Sequence, residues 1–225
     1  MRSRLLFVCA LFVCSALTCG ALRADGVVPV TNGSFDAHGT FTQACVSGCQ
    51  FNTGPIPGWT LSGVGGSFLP DPTQFNLPLP GAGIVAFSNG GTISQDLGIG
   101  VQTNSTYTLS VDIGHRLNYS STTYSIALDD GSSTLCSTPL ISDNPIIPGT
   151  FAGATLTCNI GSSVAPGDLT IVLTSGGNQI DFDNVSLSVA TPEPSAIVLM
   201  IVGLGFVALL WKHSSRKDAL QNGAC

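Results

Sequence analysis

The stretch Ser105-Thr106-Tyr107-Thr108-Leu109-Ser110-Val111-Asp112-Ile113 alternates polar and apolar side chains without a break. Successive side chains of a strand point to opposite faces, so Tyr107, Leu109, Val111 and Ile113 share one face and Thr106, Thr108, Ser110 and Asp112 the other. Tyr124, Ile126 and Leu128 repeat this period-two pattern, as do Leu169, Ile171 and Leu173. Between such runs stand Gly, Pro, Asn, Asp and Ser, and no amphipathic helix of useful length intervenes. Thr and Ser dominate the outward positions, which suits a pleated surface with one wet face. Residues 25–190 are therefore predicted to form an all-β domain, a β-sandwich of jelly-roll type. Roughly 160 residues can bury a sizeable core of their own.

Charge is scarce and unevenly placed. Only 9% of the 225 residues are charged, against about 25% in an average soluble protein. Arg116 is the single base between residues 25 and 190, beside eleven Asp and no Glu, so that segment is near −10 while the whole chain is −6. Nucleic-acid binding needs a basic footprint and is excluded. The 27 Gly and 13 Pro exclude a coiled coil, and a 44% hydrophobic content argues against disorder.

The two ends read as targeting segments. Residues 1–24 open with Met1-Arg2-Ser3-Arg4, run apolar from Leu5 to Leu17 and end in Ala21-Leu22-Arg23-Ala24. This is the layout of a secretory signal peptide read by the Sec translocon, with cleavage expected after Ala24 or, alternatively, Ala21. A lipidated Cys19 is disfavoured, because Ala16-Leu17-Thr18 lacks the small residue that normally precedes such a cysteine. Near the other end, Ala196 to Trp211 is a 16-residue run without charge. As a helix it spans about 24 Å, slightly short of a bilayer core of about 30 Å. Trp211 suits the interface, and Lys212, His213, Arg216 and Lys217 place the tail 212–225 in the cytoplasm. Residues 196–211 are thus expected to be one transmembrane helix, with the ectodomain outside the cytoplasmic membrane.

Thr191-Pro192-Glu193-Pro194-Ser195 separates the two. Its prolines interrupt helix and strand alike. Pro192, Glu193, Pro194 and Ser195, followed by an uncharged segment with Gly and then a basic cluster, resemble the PEP-CTERM sorting signal of bacterial envelope proteins. The resemblance implies recognition by an exosortase, a membrane cysteine peptidase that cuts at or near the motif and releases or transfers the protein to the cell surface or matrix. The extra tail from Asp218 to Cys225 departs from the family pattern.

Four cysteines fall in the exported part, Cys45, Cys49, Cys136 and Cys158. An oxidising compartment suggests two disulfides. Of three possible pairings, Cys45 with Cys49, closing the turn Cys-Val-Ser-Gly-Cys, and Cys136 with Cys158 are favoured. A zinc site would need four convergent ligands, and one pair alone has short spacing.

Asn32-Gly33-Ser34-Phe35-Asp36, Ile56-Pro57-Gly58-Trp59 and the final strand Ile180-Asp181-Phe182-Asp183-Asn184-Val185-Ser186-Leu187, together with Gly91-Thr92-Ile93-Ser94-Gln95, resemble in order and spacing the galactose-binding-like jelly rolls. These are carbohydrate-binding modules and the "choice-of-anchor" domains that precede PEP-CTERM tails. If Val185, Leu187 and Val189 face the core, alternation puts Asp181 and Asp183 on the same face, where a carboxylate needs a partner. The resemblance implies a structural calcium held by Asp183 and Asp36, with main-chain carbonyls completing the set. The alternative is that Asp183 accepts backbone N–H bonds from the first strand.

Catalytic signals are weak. His38 and His115 are the exported histidines, and no Cys-His, His-Glu-x-x-His or Gly-x-Ser-x-Gly pattern occurs. Asp129-Asp130-Gly131 reads as a hairpin turn, and His115-Arg116 as a solvated loop pair. For sugar binding, Trp59, Tyr119 and Tyr124 are candidate stacking platforms, although Trp59 after Pro-Gly also suits a core position. The expectation is an exported, non-catalytic envelope or extracellular-matrix protein, processed by an exosortase. The alternative is a surface-displayed carbohydrate-binding module whose partner is an extracellular polysaccharide.

Overall fold

The computed structural model describes residues 23–76, 79, 83–131, 133–163, 167–192, 203–205 and 207. The expected signal peptide up to Leu22, Glu193, Pro194 and Ser195 of the sorting motif, and the tail 212–225 lie outside the described residues. Of the expected span 196–211, residues 203–205 and 207 are described, and they are helical. Among the described residues no helix is long and apolar enough to cross a membrane. The chain divides into two units, 25–190 and the termini 1–24 with 191–225.

The alternating segments become strands where expected: β1 (Arg23–Val28), β2 (Gln43–Ala44), β3 (Gln50–Phe51), β4 (Thr60–Leu69), β5 (Val85–Gly100), β6 (Thr106–His115), β7 (Thr123–Asp129), β8 (Thr134–Ser137), β9 (Ile141–Ser142), β10 (Thr150–Asn159), β11 (Asp168–Ser175) and β12 (Gln179–Pro192). Pairing runs β10-β6-β12-β5-β11-β7-β8, with β1 on β12 and with β4 carrying β3 and β2 beside β5. The long β5 belongs to two layers. Its residues Ala86–Asn89 pair with β12, and Thr92–Gly100 pair with β11.

Glycines make that corner. Gly63 in β4 (φ 92°) and Gly90 in β5 (φ 67°) take left-handed backbone conformations, and a side chain at Gly91 would collide with the Ser62 carbonyl. Strands that change sheets through such bends are the usual corner of a sandwich. β10 and β8 then form the far edges of the two layers, and the Cys136–Cys158 disulfide joins them.

Between the layers lies the core anticipated from the alternation. Tyr107, Leu109, Val111 and Ile113 of β6, Ile126 and Leu128 of β7, Leu169, Ile171 and Leu173 of β11 are buried together. Each such aliphatic side chain contributes roughly 1.5–3 kcal/mol when fully buried. The outer face of β5 is not wet, contrary to simple alternation. Phe68, Phe75, Val85, Phe87 and Cys49 form a second cluster, with Phe51 and Phe151 packed against it.

Candidate functional site

The outer cluster lies on the same face as the carboxylates of β12, with Phe87 in register with Asp181, and a bulge decides this. Asp183 pairs with Asp112 but Ser186 with Ser110, so β12 holds one residue more than β6. Asn184 accommodates it with a left-handed backbone (φ 49°), a conformation Asn tolerates better than most residues. The extra residue reverses the alternation. Before the bulge Ile180 and Phe182 enter the core, and after it Val185, Leu187 and Val189 do. The expectation that Asp181 and Asp183 share the core face of Val185 is therefore corrected. They lie on the outer face, in register with Phe87 and Gly114 for Asp181 and with Asp112 for Asp183.

Outer does not mean exposed. Asp181 and Asp183 are both buried, Asp181 beside the backbone of Gly114, onto which Phe75 and Phe151 pack so closely that no side chain would fit there. The two Phe rings stack at 4.8 Å. Asp181 Oδ1 accepts a 2.7 Å bond from Gln179 Nε2, while its Oδ2 has no partner. Burial pushes Asp181 up to about 7, against the opposing pull of Arg116 and Gln179. Asp183 also rises to about 7, chiefly through burial, with the Asn184 N–H opposing and the charges of Asp112 and Asp36 adding.

Arg116 completes the group. His115 and Arg116 are both buried, so the expected solvated loop pair is overturned. The guanidinium lies between the rings of Phe68 (4.8 Å) and Tyr119 (4.4 Å). It donates to Gln179 Oε1 at 2.7 Å and to Asn118 Oδ1 at 3.1 Å. Gln179 thus relays between the domain's single base and its most buried acid. Burial lowers the Arg116 pKa, and Asp181 is the first charge to oppose that shift. His115 serves the scaffold: Nδ1 faces the carbonyls of Asp143 (3.2 Å) and Ile146 (3.1 Å), and Asp143 Oδ1 accepts the Thr122 N–H. These bonds tie the 116–122 loop to the 143–149 loop.

The three candidate platforms do not converge. Trp59 packs on Phe35 at 5.1 Å and donates its indole N–H to the Asn32 carbonyl. Trp59 and Tyr124 both pack into the inner core and keep little exposed surface. An open groove of about 540 Å³ passes Trp59 between Thr53, Pro55, Leu61 and Val64. Tyr119 alone of the three is exposed. Asp36 is exposed and accepts from Ser34 Oγ, and its charge reaches Asp183. Cys45 and Cys49 are joined, Cα atoms 5.0 Å apart, as are Cys136 and Cys158 at 5.8 Å. The Cys49 N–H donates to Asp71, whose carboxyl is held at about 2 by hydrogen bonds, those from Ser47 and Thr73 foremost. Sequence reasoning missed Gln179 and the burial of Arg116. The one available signal was a lone base in 166 residues.

Residues 26–188 match the family model of HpiC1 cyclase, described as HpiC1-like. The chain belongs to the HpiC1-like family. Residues 190–217 match the PEP-CTERM protein-sorting motif, which marks an exported, membrane-associated protein and bears out the resemblance seen in Pro192 to Ser195. Two solved structures of similar fold come from Fischerella sp. TAU. One is a Stig cyclase in complex with (3Z)-3-(1-methyl-2-pyrrolidinylidene)-3H-indole, with TM-score 0.62 and 20% identity, covering 76% of this chain and 100% of that one. The other is a cyclase in complex with 4-(1H-indol-3-yl)butan-2-one, with TM-score 0.60 and 20% identity, covering 75% and 99%. The CBM22-1 xylan-binding domain of Paenibacillus barcinonensis Xyn10C gives TM-score 0.48 and 11% identity over 76% and 99%. At 20% identity the likeness to the two cyclases is one of fold. No curated protein matches the chain in sequence.

Proposed function

We propose that the chain is a non-catalytic ectodomain, exported and then detached from its anchor by an exosortase for display at the cell surface or in the extracellular matrix. One observation carries this. The sorting motif begins at residue 190, directly after Val189, the last core residue of β12. A cut at or near Pro192 therefore leaves the sandwich, its core and both disulfides intact. The buried polar groups support the non-catalytic part, since Asp181 is fully enclosed and Arg116 and Gln179 are bonded to each other. Mass spectrometry of the mature protein from its native host is expected to find a C-terminus within the sorting motif. An intact Cys225 on all molecules would remove processing from this reading.

Asp36 and Asp183 remain the pair we assign to a structural calcium. Asp183 Oδ2 is buried without a partner, and Asp112 and Asp36 raise its pKa, a like-charge arrangement that a hard divalent cation relieves. Among the described residues no group of three His, Cys, Asp or Glu forms a metal cluster, so main-chain carbonyls would have to complete the coordination.

A second reading is favoured by the state of Asp181. A carboxyl with a pKa of about 7 and a free oxygen, set among Phe75, Phe87 and Phe151, is suited to hand a proton to a flat apolar ligand. On this reading an indole of the kind bound by the Fischerella cyclases enters the outer cluster after Arg116 moves aside. Ligand-detected NMR with 4-(1H-indol-3-yl)butan-2-one tests it. Absence of binding at millimolar concentration eliminates the cyclase reading.

A further inference from the structure

From 150 to 159, β10 reads Thr-Phe-Ala-Gly-Ala-Thr-Leu-Thr-Cys-Asn, without a charge or a proline. Its ten residues pair with β6 in one unbroken register, and among the described residues β6 is its only partner strand. The other long side of β10 is therefore a free sheet edge. Such an edge presents unpaired N–H and C=O groups to any strand that reaches it.

The hydrogen bonds around β6 fix which groups are presented. The Ile160 N–H donates to the Ser105 carbonyl at 2.8 Å, and Val185 of β12 gives its N–H to Gly33, which turns Ser186 toward Ser110 of β6. Both set the same phase in the antiparallel ladders. Thr150, Ala152, Ala154, Leu156 and Cys158 direct their backbone groups to β6, and Phe151, Gly153, Thr155 and Thr157 direct theirs outward. Ala152, Gly153, Thr155 and Thr157 are all exposed.

Other strand edges of the domain are blunted. β2 and β9 have two residues each, β8 has four, and β1 carries Arg23 and Asp25. The start of β4 is interrupted after Ser62 by a register shift, and the end of β5 holds Asp96 and the left-handed Gly98. Short length, charge and irregular backbone are the devices that keep sheet edges from joining. β10 uses none of them, and its disulfide to β8 through Cys158 holds it in place.

We propose that β10 is a dimer interface, at which β10 of a second copy of this chain adds antiparallel across a two-fold axis and continues the sheet. Symmetry fits this occupant. An axis normal to the sheet keeps like faces together, and centred on Ala154 it sets Phe151 opposite position 157 and Gly153 opposite position 155 of the other copy. These are the outward-directed residues, so four pairs exchange about eight N–H···O bonds. Phe opposite Thr is a favourable cross-strand pair. Charge fits it too. Two domains near −10 repel in general, yet residues 144–167 hold no ionisable side chain apart from the disulfide-bonded Cys158, so no like charges meet across the axis. Asp112, in register with Gly153, stands one strand back and accepts from Asn184 Nδ2. The contact lies within the sandwich and is independent of whether the anchor is cut.

The test is size-exclusion chromatography with light scattering on the full chain in detergent, where a concentration-dependent dimer is expected. Thr155→Pro removes two bonds across the axis and none to β6, so it should weaken the dimer about tenfold or more and leave the unfolding temperature of the diluted monomer unchanged. In a Cys225→Ser background, Ala154→Cys should give a covalent dimer on mild oxidation, because the two copies of position 154 face each other with Cα atoms about 4.5 Å apart, and Ala152→Cys should not. A monomer throughout the micromolar range overturns the proposal. So does a dimer that Thr155→Pro leaves unchanged, which would be held elsewhere in the chain, or an Ala154→Cys variant that does not cross-link.

Discussion

The two faces of β12 carry the same kind of strand into different surroundings. Inward, Ile180, Phe182, Val185, Leu187 and Val189 join one apolar core in which shape is the main requirement. Outward, Gln179, Asp181 and Asp183 are equally buried, yet each polar atom needs a partner, and two carboxylate oxygens have none. Burial alone therefore does not define a core. The inner face gains stability from being enclosed, and the outer face holds acids whose charged forms enclosure penalises.

That contrast is broken most strongly at Asp181. An unfolded aspartate ionises near 4, whereas folded Asp181 keeps its proton up to about 7. Between these values the unfolded chain releases a proton that the folded chain retains, so stability falls as pH rises from 4 to 7 and is level above. The fall from this residue is on the order of 4 kcal/mol. Urea unfolding at pH 5 and pH 8 should show a steep difference in the wild type, of which Asp181→Asn removes about half, because Asp183 is also raised to about 7 and contributes in the same sense. An unchanged difference would mean that Asp181 is ionised in the fold. Asp71 acts in the opposite sense and at lower pH. Its carboxyl is held at about 2, so its contribution is lost only as pH falls below the ordinary aspartate range.

The contrast is sharpened, with a smaller effect, at Asp183. A cation there neutralises the outer acids without touching the inner face. At calcium ten times above its dissociation constant, stability should rise by about 1.4 kcal/mol, and Asp183→Asn should abolish the rise. Calorimetric titration of the metal-free chain is the direct measurement, and no heat at millimolar calcium would remove the metal.

Much of the fold was legible because alternation is a local property. Tyr107 to Ile113 and Leu169 to Leu173 needed no knowledge of distant residues to be read as half-buried strands, and they form the core as read. The disulfides were legible because the cysteines were few and one pair enclosed a short turn. The site was much less so. Trp59 and Tyr124 are chemically capable of stacking on a ligand; the Pro-Gly before Trp59 and the alternation through Tyr124 suit a core position, and packing alone decides that the core takes them. Asp181 was noticed as a problem but placed on the wrong face, because a one-residue bulge at Asn184 inverts everything before it. Arg116 looked like a loop residue, and its burial depends on Phe68, 48 positions earlier, and Gln179, 63 positions later.

By itself the sequence determined the class of this protein: an exported, acidic all-β domain ahead of a PEP-CTERM motif. Composition, period and terminal signals are carried by neighbouring residues and survive without a fold. Tertiary structure alone decided which buried groups are core and which are site. That choice depends on the register between β12 and β6 and on rings brought over Arg116 from distant strands and loops, and a linear pattern has no term for either.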